Sequence, residues 1–509
     1  MKKQNVVLFD RSQALSEAAQ RAYDEYLGKI ENADPGYLLG VLAPTVHADQ
    51  ILPDSMRKTI YKQIAKKSGA TVSTLESDRA KMHQTGDADD HLQAARDVID
   101  SFGRKNLIAC DQGLFSWCEE SGVWKETSER RLKTRVHQVI GGKLTKQTVA
   151  SIVDLLMTEV WREGFMFNEP SREFINAANG RLILRDGAWV LEPHRREDYM
   201  TVTIPVAYDP DATADRFAQF LVEIFDGAED AGHRIRLVQQ CLGYMLIASC
   251  HLERFFMFIG SGANGKSVLM SVMAALVGSK QTASVQPNLF SNQFNRSSLE
   301  GKLLNLVTEL AVGQPISDAQ LKSLVSGELI GAERKFKDPR SFRPIALHVF
   351  GTNHLPSTRD FSNALFRRAS LIEFPREFSG KDRDPNLTQQ LMSELPGILN
   401  IALRGLTDVL EHGFVEPESS IKLQEEWRLE LDSVRRWVTE CCATEPASTI
   451  AKSEAYAEYI EWARNHGVKN VCSAYTLTKR LKNLGYGEKR AANARLITGL
   501  KITERQPFR

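Results

Sequence analysis

Cysteine pairs of the metal-binding or redox type are missing from this 509-residue chain, although it contains seven cysteines. None of them has the Cys-x-x-Cys spacing that zinc sites and thiol redox motifs use. Their odd number and irregular spacing predict neither a disulfide framework nor a zinc centre. We interpret them as thiols of a reducing compartment. They are Cys110, Cys118, Cys241, Cys250, Cys441, Cys442 and Cys472.

Long apolar runs are also missing. The N-terminal segment has only four consecutive apolar residues, at 6–9, which is too short for the core of a signal peptide. Longer stretches, such as residues 242–248, fall far below the roughly 20 residues that span a bilayer. We therefore expect a soluble, cytoplasmic protein with no membrane partner.

The chain has no excess of either charge, because 65 Lys and Arg stand against 64 Asp and Glu. A net charge of +1 excludes a simple polycation, so any surface for nucleic acid must be local. Residues 449–509 meet that condition, with twelve Lys or Arg against five Asp or Glu. Within them, residues 473–484 begin with a capping-type Ser and have basic residues on one face, which predicts a recognition-type helix. Tyr456, Tyr459 and Trp462 are expected in the core of this region rather than stacked on bases.

The patterns along the chain predict four regions, because 509 residues exceed what one hydrophobic core organises. They are a helical N-terminal region at 1–100, an α+β domain at 104–235, a core that carries the chemistry at 236–415 and a basic C-terminal domain at 425–509.

Local signals in the first two regions predict turns and hairpins. Residues 60–82 have the spacing of a helix-turn-helix with Gly69 at the turn, a pattern that many helical hairpins show without contacting DNA. The acidic segment 84–91 predicts a linker rather than a metal-binding Asp pair. Alternating apolar residues at 107–124, and around the Asp-Gly pair within 174–191, predict β-hairpins.

A phosphate-binding motif lies in the third region. The apolar run at 255–259 predicts a buried parallel strand, and residues 268–277 predict a helix. Between them lies G-x-x-x-x-G-K-S, whose glycines let the backbone fold round a phosphate and whose amides face the anion at the helix start. The predicted nucleotide-binding residues are Gly260, Ser261, Gly262, Ala263, Asn264, Gly265, Lys266 and Ser267.

Two side chains of this motif predict the cofactors ATP and Mg²⁺. Lys266 adds a positive charge for the β- and γ-phosphates, and Ser267 offers a hydroxyl to Mg²⁺. Without nucleotide, we expect the Lys266 side chain to be solvated and to contribute little to stability.

Polar residues end two further predicted strands. A buried strand at 303–309 ends in Glu309, a position where phosphate-loop ATPases use an acid to polarise the attacking water or to support Mg²⁺. Thr308 precedes it at a position where many relatives have another acid. Which carboxylate would lie beside the metal ion therefore stays open. A strand at 345–350 leads to Asn353, which either senses the γ-phosphate or forms a turn.

Two basic segments accompany these strands. The segment 333–339 contains cations and an aromatic residue between turn residues, which predicts either a loop that follows a DNA backbone or a solvated charged loop. Arg367 and Arg368 precede an apolar run and are either structural or reach the γ-phosphate of a neighbouring subunit. The candidate DNA-binding residues are Arg334, Lys335 and Lys337.

Taken in order, these residues resemble the superfamily 3 helicases of viruses, phages and plasmids, which belong to the AAA-plus ATPases. Within that group the chain is similar to the primase–helicases of satellite phages and to their poxvirus relatives. The resemblance extends more loosely over 104–245 and 425–504. The matching features are the loop 260–267, Glu309, Lys322 with Ser326 and Gly327, residues 334–336 and 353–356, and Arg367 and Arg368 before 372–374.

The resemblance implies an α/β fold: an AAA-plus phosphate-loop core with a parallel central sheet, preceded by helical and α+β regions and followed by a winged-helix domain. It implies ATP-dependent unwinding by a homo-hexameric ring that binds ATP between subunits and moves 3′-to-5′ on single-stranded and forked DNA. In that ring Glu309 is the catalytic carboxylate, Asn353 the sensor, and Arg367 or Arg368 the finger that acts in trans. Lys335 and Lys337 follow the DNA.

Larger relatives carry a primase domain, but only about 100 residues precede the shared region. We therefore expect no priming activity and a separate primase or origin-binding protein as a partner. Two other functions stay open. A different AAA-plus DNA motor would move duplex without unwinding it, and an origin-binding initiator would use ATP only as an assembly switch.

Overall fold

A computed structural model describes residues 2–49, 51–142, 144–168, 174–310, 314–335, 339–358, 363–468, 471–491 and 494–503. The chain folds as two units. The first comprises Met1–Ala109 and Thr127–Arg162, and the second comprises Cys110–Glu126 and Glu163–Arg509. In the described part of the chain, no helix combines the length and the apolar composition needed to cross a membrane.

The first unit is largely helical. Its helices are α1 (Lys2–Glu31), α2 (Pro35–Tyr37), α3 (Ala43–Ala48), α4 (Asp54–Ser68), α5 (Val72–Phe102), α6 (Glu129–Ile140) and α7 (Lys146–Glu159), with a π-helical turn at Leu38–Leu42. As predicted, a helix ends at Gly69 and another follows, because the Thr71 hydroxyl accepts a hydrogen bond from Thr74 N at 3.1 Å and caps α5.

The predicted linker at 84–91 is wrong, because these residues lie inside α5. The helix is anchored on both sides of this segment. Leu75 is buried against the N-terminal helices, and Ala95 and Val98 are fully buried near the other end. One glycine in a helix interior costs only about 1 kcal/mol, so packing at the two ends outweighs the poor local propensity.

In the second unit, antiparallel strands precede the chemistry-bearing core. Strand β1 (Leu107–Cys110) spans the boundary between the two units at Ala109 and Cys110. Strands β2 (Gly113–Cys118) and β3 (Val123–Glu126) follow it in the second unit. The strands β4 (Phe174–Ala177), β5 (Gly180–Arg185) and β6 (Ala188–Glu192) form a sheet in that order. The hairpin predicted around Asp186-Gly187 is confirmed, since Arg185 pairs with Ala188 across this turn.

The core is a mixed α/β structure around a five-stranded sheet. All its pairs are parallel, as predicted, and its order is β13-β7-β12-β9-β8. Its strands are β7 (Phe255–Ile259), β8 (Thr282–Ala283), β9 (Leu304–Val307), β12 (Leu347–Thr352) and β13 (Ala369–Glu373), and β10 (Ile330–Ala332) and β11 (Arg340–Phe342) form a separate hairpin. The helices are α8 (Asp215–Ile224), α9 (Ala231–Tyr244), α10 (Lys266–Val277), α11 (Gln293–Arg296), α12 (Asp318–Val325), α13 (Asn363–Phe366), α14 (Leu387–Ser393), α15 (Leu395–His412) and α16 (Glu418–Leu431).

The C-terminal region folds around its own apolar cluster. It contains α17 (Ser433–Cys441), β14 (Cys442–Ala451), α18 (Lys452–Asn465), α19 (Ala474–Asn483), β15 (Gly487–Arg490) and β16 (Arg495–Ile502), with the sheet order β14-β16-β15. Tyr459 and Trp462 are buried in its core and Tyr456 packs against it, as predicted. The predicted helix at 473–484 is α19, and Ser473 caps it by accepting from Thr476 N at 3.3 Å.

Helices α9 and α15 cross at very short range behind the sheet. A Cβ atom added at Gly243 would overlap the backbone oxygen of Ala402, and one added at Gly405 would overlap the backbone oxygen of Gln239. Because both obstacles are backbone atoms, a side chain at either glycine would push the helices apart.

We predict that Gly243→Ala lowers the free energy of unfolding by about 1–3 kcal/mol, because the added methyl group overpacks this crossing. Denaturant unfolding followed by tryptophan fluorescence measures the change. Gly232→Ala, in the first turn of the same helix, is the matched control, since nothing lies within 4 Å of its added Cβ. It should be neutral or slightly stabilising. Equal effects of the two substitutions would contradict the close crossing.

Candidate active site

The parallel sheet brings the candidate catalytic residues to one edge. Strand β7 lies between β12 and β13, the two strands of this sheet that come last in sequence, so the strand order reverses at β7. Ligands of open parallel sheets bind at the carboxyl ends of the strands beside such a reversal. Gly260 follows β7, Glu309 lies two residues beyond β9, and Asn353 follows β12 directly. The three sequence motifs therefore meet at the edge where a ligand is expected.

The loop 260–265 joins β7 to α10 with hydrogen-bond donors at its end. Gly265 has a φ of 85°, and a Cβ there would press against Ile224. Because α10 begins at Lys266, the amides of its first turn have no acceptor within the helix. The Asn264 side chain is buried, and its Nδ2 has no hydrogen-bond partner among the described residues. A loop with spare donors is what an anion requires.

Lys266 is held by neighbouring oxygen atoms. Only 7% of the residue is exposed, and its Nζ donates to Gly260 O, to Thr352 O at 3.3 Å and to Asn353 Oδ1 at 3.1 Å. Burial lowers the pKa of this ammonium group, while the Glu309 carboxylate acts in the opposite direction. The prediction that Lys266 is solvated is therefore wrong. The motif indicates what the lysine binds, but its burial depends on β12, which lies far away in the sequence.

A cleft of about 770 Å³ opens beside this loop, a size that suits a small-molecule ligand. One wall comes from α8 and includes Phe220. Another comes from residues 378–387, where Phe378 N donates to Ala263 O at 2.7 Å and holds the wall against the loop. The sequence analysis missed these walls, because no local motif marks residues that approach the loop only through the fold.

Glu309 and Ser267 place oxygen atoms at this cleft. Both residues are exposed and line it, as does Thr308. Within the described residues, no group of three or more His, Cys, Asp or Glu side chains is arranged to hold a metal ion. Mg²⁺ usually uses one or two carboxylates together with substrate phosphates. The side chains present therefore fit an ion that binds together with a nucleotide.

The two candidate arginines lie at the opposite edge of the sheet. Arg368 directly precedes β13, and its carbonyl accepts from Phe255 N, the first residue of β7. Five residues of β7, roughly 17 Å of strand, separate this edge from Gly260. Arg367 is also on this side, with 65% of its side chain exposed. Neither arginine can therefore reach a phosphate bound at the loop of its own chain.

Arg368 has partners within the chain. Its guanidinium pairs with Glu253 Oε2 at 2.6 Å and donates to Ser326 Oγ at 3.0 Å and to Ala364 O at 2.8 Å. Among the described residues, Arg367 has a longer contact of 3.6 Å with the same Glu253 carboxylate. Of the two arginines, Arg367 has the side chain that extends into solvent.

The basic segment 333–339 is the connection of a β-hairpin. Strands β10 and β11 pair antiparallel on either side of it. Lys335 is exposed in this connection, and Lys337 lies outside the described residues. The Arg334 guanidinium pairs with Glu126 at 3.2 Å and Glu300 at 3.3 Å, so its charge is compensated within the chain. Of the described candidate DNA-binding residues, Lys335 is the exposed one.

Two families match parts of the chain that contain this geometry. Residues 95–226 match the family described as D5 N terminal like. Residues 258–368 match a family of unknown function, DUF5906, and this range contains the loop 260–267, Glu309 and Asn353.

Two viral proteins are similar to the chain. It is 21% identical to "Putative helicase L207/L206" of Acanthamoeba polyphaga mimivirus over 240 residues, which cover 42% of this chain and 25% of that protein. It is 22% identical to "Putative helicase 121R" of Invertebrate iridescent virus 3 over 250 residues, which cover 45% and 26%. The resemblance to viral superfamily 3-like helicases is confirmed. The chain matches about a quarter of the length of these helicase relatives.

Among solved structures, the chain is similar to the apo C-terminal region of NrS-1. The TM-score is 0.48 at 13% identity, and the alignment covers 79% of this chain and 98% of that one.

We predict different stability effects for the two neighbouring arginines. Arg368→Ala should lower the free energy of unfolding by about 2 kcal/mol, because it leaves the Glu253 carboxylate without its buried partner. Arg367→Ala should change it by less than about 0.5 kcal/mol, as surface substitutions usually do. Denaturant unfolding of both variants measures the difference. A larger loss for Arg367→Ala would contradict the assignment of Arg368 as the internal anchor.

Proposed function

We propose that this chain is an ATP-driven DNA helicase whose nucleotide site is the cleft beside loop 260–267. The observation that carries the proposal is the convergence of Lys266, Glu309 and Asn353 from three parallel strands on one cleft. This combination, a phosphate loop with an acid and a polar residue on adjacent strand ends, is suited to transferring a phosphoryl group to water. The similarity to viral proteins named putative helicases supports coupling that chemistry to strand separation, for which we propose DNA as the substrate.

The side chains divide the chemistry of ATP hydrolysis between them. The loop amides and Lys266 bind the β- and γ-phosphates, and the ammonium group opposes the negative charge that develops during transfer. Glu309 accepts a hydrogen bond from the attacking water and orients it. Asn353 holds Lys266 in position through its Oδ1 and can reach the γ-phosphate with its amide. Ser267 and Glu309 would hold Mg²⁺, which supplies further charge neutralisation when bound.

The position of Arg367 supports assembly into a ring. An exposed arginine at the amino edge of the sheet cannot complete the site of its own chain, but it can complete the site of a neighbour. We therefore propose Arg367 as the finger that acts in trans in a homo-hexamer, with Arg368 as its internal support. Such arginines increase the rate on the order of 10³-fold or more in other phosphate-loop enzymes.

DNA would contact two parts of this assembly. The hairpin connection with Lys335 would follow the phosphate backbone of a single strand, independently of base sequence. The C-terminal region has the order helix, strand, two helices and two strands, and its α19 is basic, which supports a winged-helix domain. A separate primase or origin-binding protein is the expected partner in replication.

The first test is the unwinding of forked DNA with ATP. We expect wild-type protein to separate the strands, and Glu309→Gln to bind ATP but hydrolyse it at least about 10²-fold more slowly, because the amide cannot polarise water. Glu411→Gln, at an exposed position of α15, is the matched control and should hydrolyse ATP normally. If wild-type protein hydrolyses ATP but separates no strands, the chain is another DNA motor or an ATP-switched initiator. Normal hydrolysis by Glu309→Gln would assign the carboxylate role to a different residue.

The second test asks whether the site is shared between subunits. Lys266→Ala and Arg367→Ala proteins should each be inactive, but mixed assemblies should recover activity, since some interfaces then contain neither substitution. A mixture of Lys266→Ala with Glu309→Gln is the control. Both of those residues belong to the same side of the interface, so every site stays defective. ATP turnover is measured after mixed assembly has been verified. Equal behaviour of the two mixtures would exclude Arg367 as a finger in trans.

A further inference from the structure

A second cavity lies away from the nucleotide cleft, where α13 and α16 approach the C-terminal helix α19. Its volume is about 530 Å³. Phe366 and Arg428 line it on the core side, and Thr476, Lys479 and Arg480 line it on the α19 side. None of these residues takes part in the nucleotide site, and no motif in the sequence indicates a cavity here.

The cavity is strongly basic. Four cations line it, namely Arg428, Arg435, Lys479 and Arg480, against the single carboxylate of Asp432. Arg480 pairs with Asp432 at 3.3 Å, and that carboxylate also caps α17 by accepting from Val434 N and Arg435 N. Its charge is therefore already divided among several donors. Arg435 also pairs with Glu425 at 2.9 Å, and the Arg428 guanidinium lies 4.0 Å from the same carboxylate. Four cations against these two carboxylates still leave an excess of positive charge, which a bound anion would offset.

The surroundings of Arg428 also favour an anion at this site. Its side chain is 19% exposed, and its Nε is buried without a hydrogen-bond partner among the described residues. The guanidinium stacks on the Phe366 ring, 4.7 Å from its centroid. Burial, and then the nearby charge of Arg435, lower the pKa of this group. A buried donor without an acceptor is destabilising, and a bound anion would supply the acceptor.

The face of α19 that borders the cavity is the polar one. Thr476, Lys479, Arg480 and Asn483 follow the spacing of one helix face, and all four line the cavity. Lys482, on the same helix, does not line it and instead pairs with Glu488 at 2.6 Å. A recognition helix reads duplex DNA by lying in a major groove about 12 Å wide. A face directed into a half-open cavity of about 530 Å³ is suited to a smaller ligand.

We propose that this cavity is a phosphate-binding site that takes a phosphate ester, supplied either by a nucleic-acid strand or by a free nucleotide. Guanidinium groups match phosphate oxygens in pairs, and Lys479 adds a point charge at the mouth. The Thr476 hydroxyl and the Asn483 amide are further donors. The site itself is independent of strand separation, whereas a DNA strand as its ligand rests on the proposed function.

The proposed phosphate site lies close to the segment that carries Arg367. Phe366, which lies under Arg428, ends α13, and Arg367 is the next residue in the chain. A phosphate bound here would lie next to the segment that carries the proposed finger. The C-terminal region would then contact the ligand and the ATPase core at the same place.

The test compares two lysines of α19. Binding of a thymidine oligonucleotide of about fifteen nucleotides is measured by fluorescence anisotropy at low salt. ATP binding is measured separately in a Lys266→Ala background, which weakens the phosphate loop. We expect Lys479→Ala to weaken the binding of one of these two ligands by about tenfold, because one charge-assisted contact is lost. Lys482→Ala should bind both ligands as tightly as the protein without that substitution. Weaker binding of the oligonucleotide identifies a DNA strand as the source of the phosphate ester. Weaker binding of ATP identifies a free nucleotide as that source.

Equal binding by Lys479→Ala and Lys482→Ala to both ligands would overturn the proposal. If Lys479→Ala does not fold, acetylation of wild-type protein gives the answer. Ligand should protect Lys479 from the reagent and leave Lys482 reactive, and equal reactivity with and without ligand would overturn the proposal. A protein that separates no strands but shows this difference would refute the helicase function and retain the phosphate site.

Discussion

The contact on which the candidate site depends is the one between the Lys266 ammonium group and three oxygen atoms at the edge of the sheet. These oxygens belong to Gly260, Thr352 and Asn353, so the contact joins the end of β7 to the end of β12. All three are neutral, and they hold the charge without cancelling it. Burial lowers the pKa of this lysine and the Glu309 carboxylate raises it, so the proposed phosphate ligand would stabilise its charged form further. The parallel register of β7 with β12, which pairs Ile259 with Thr352, places these oxygens together.

The central strand also connects the two edges of the sheet. At its amino end, Phe255 N donates to Arg368 O, and beyond its carboxyl end Gly260 N donates to Thr352 O. Every residue of β7 is buried, and close-packed interiors transmit displacement rather than absorb it. A shift of the phosphate loop is therefore expected to reach the segment that carries Arg367.

Local patterns were sufficient to predict much of this fold. The apolar run of β7, the loop glycines, the Asp186-Gly187 turn and the capped helix α19 are all specified by residues close together in the sequence. Features that depend on distant residues were missed. The burial of Lys266 requires β12, the pairing of Arg368 with Glu253 joins two strand starts, and the cleft wall at Phe378 comes from beyond β13.

The error at 84–91 has the same origin. Its composition is that of a linker, but buried residues on both sides of it, such as Leu75 and Val98, continue the helix through it. The composition of residues 84–91 describes only that segment. It does not include the stabilisation that the helix gains from buried residues before and after the segment. The residues of the loop 260–267 could be proposed as a phosphate site from sequence because their chemistry is local, whereas the partners that position them could not.

The exposed arginine on the far side of the sheet has a consequence for how activity depends on assembly. If Arg367 completes a neighbour's site, a linear chain of subunits has one complete site fewer than it has subunits, and an isolated subunit has none. Turnover per subunit would then rise with protein concentration and level off only when the assembly closes on itself. Dilution would then lower the turnover per subunit by separating the subunits, without any inhibitor bound at the nucleotide site.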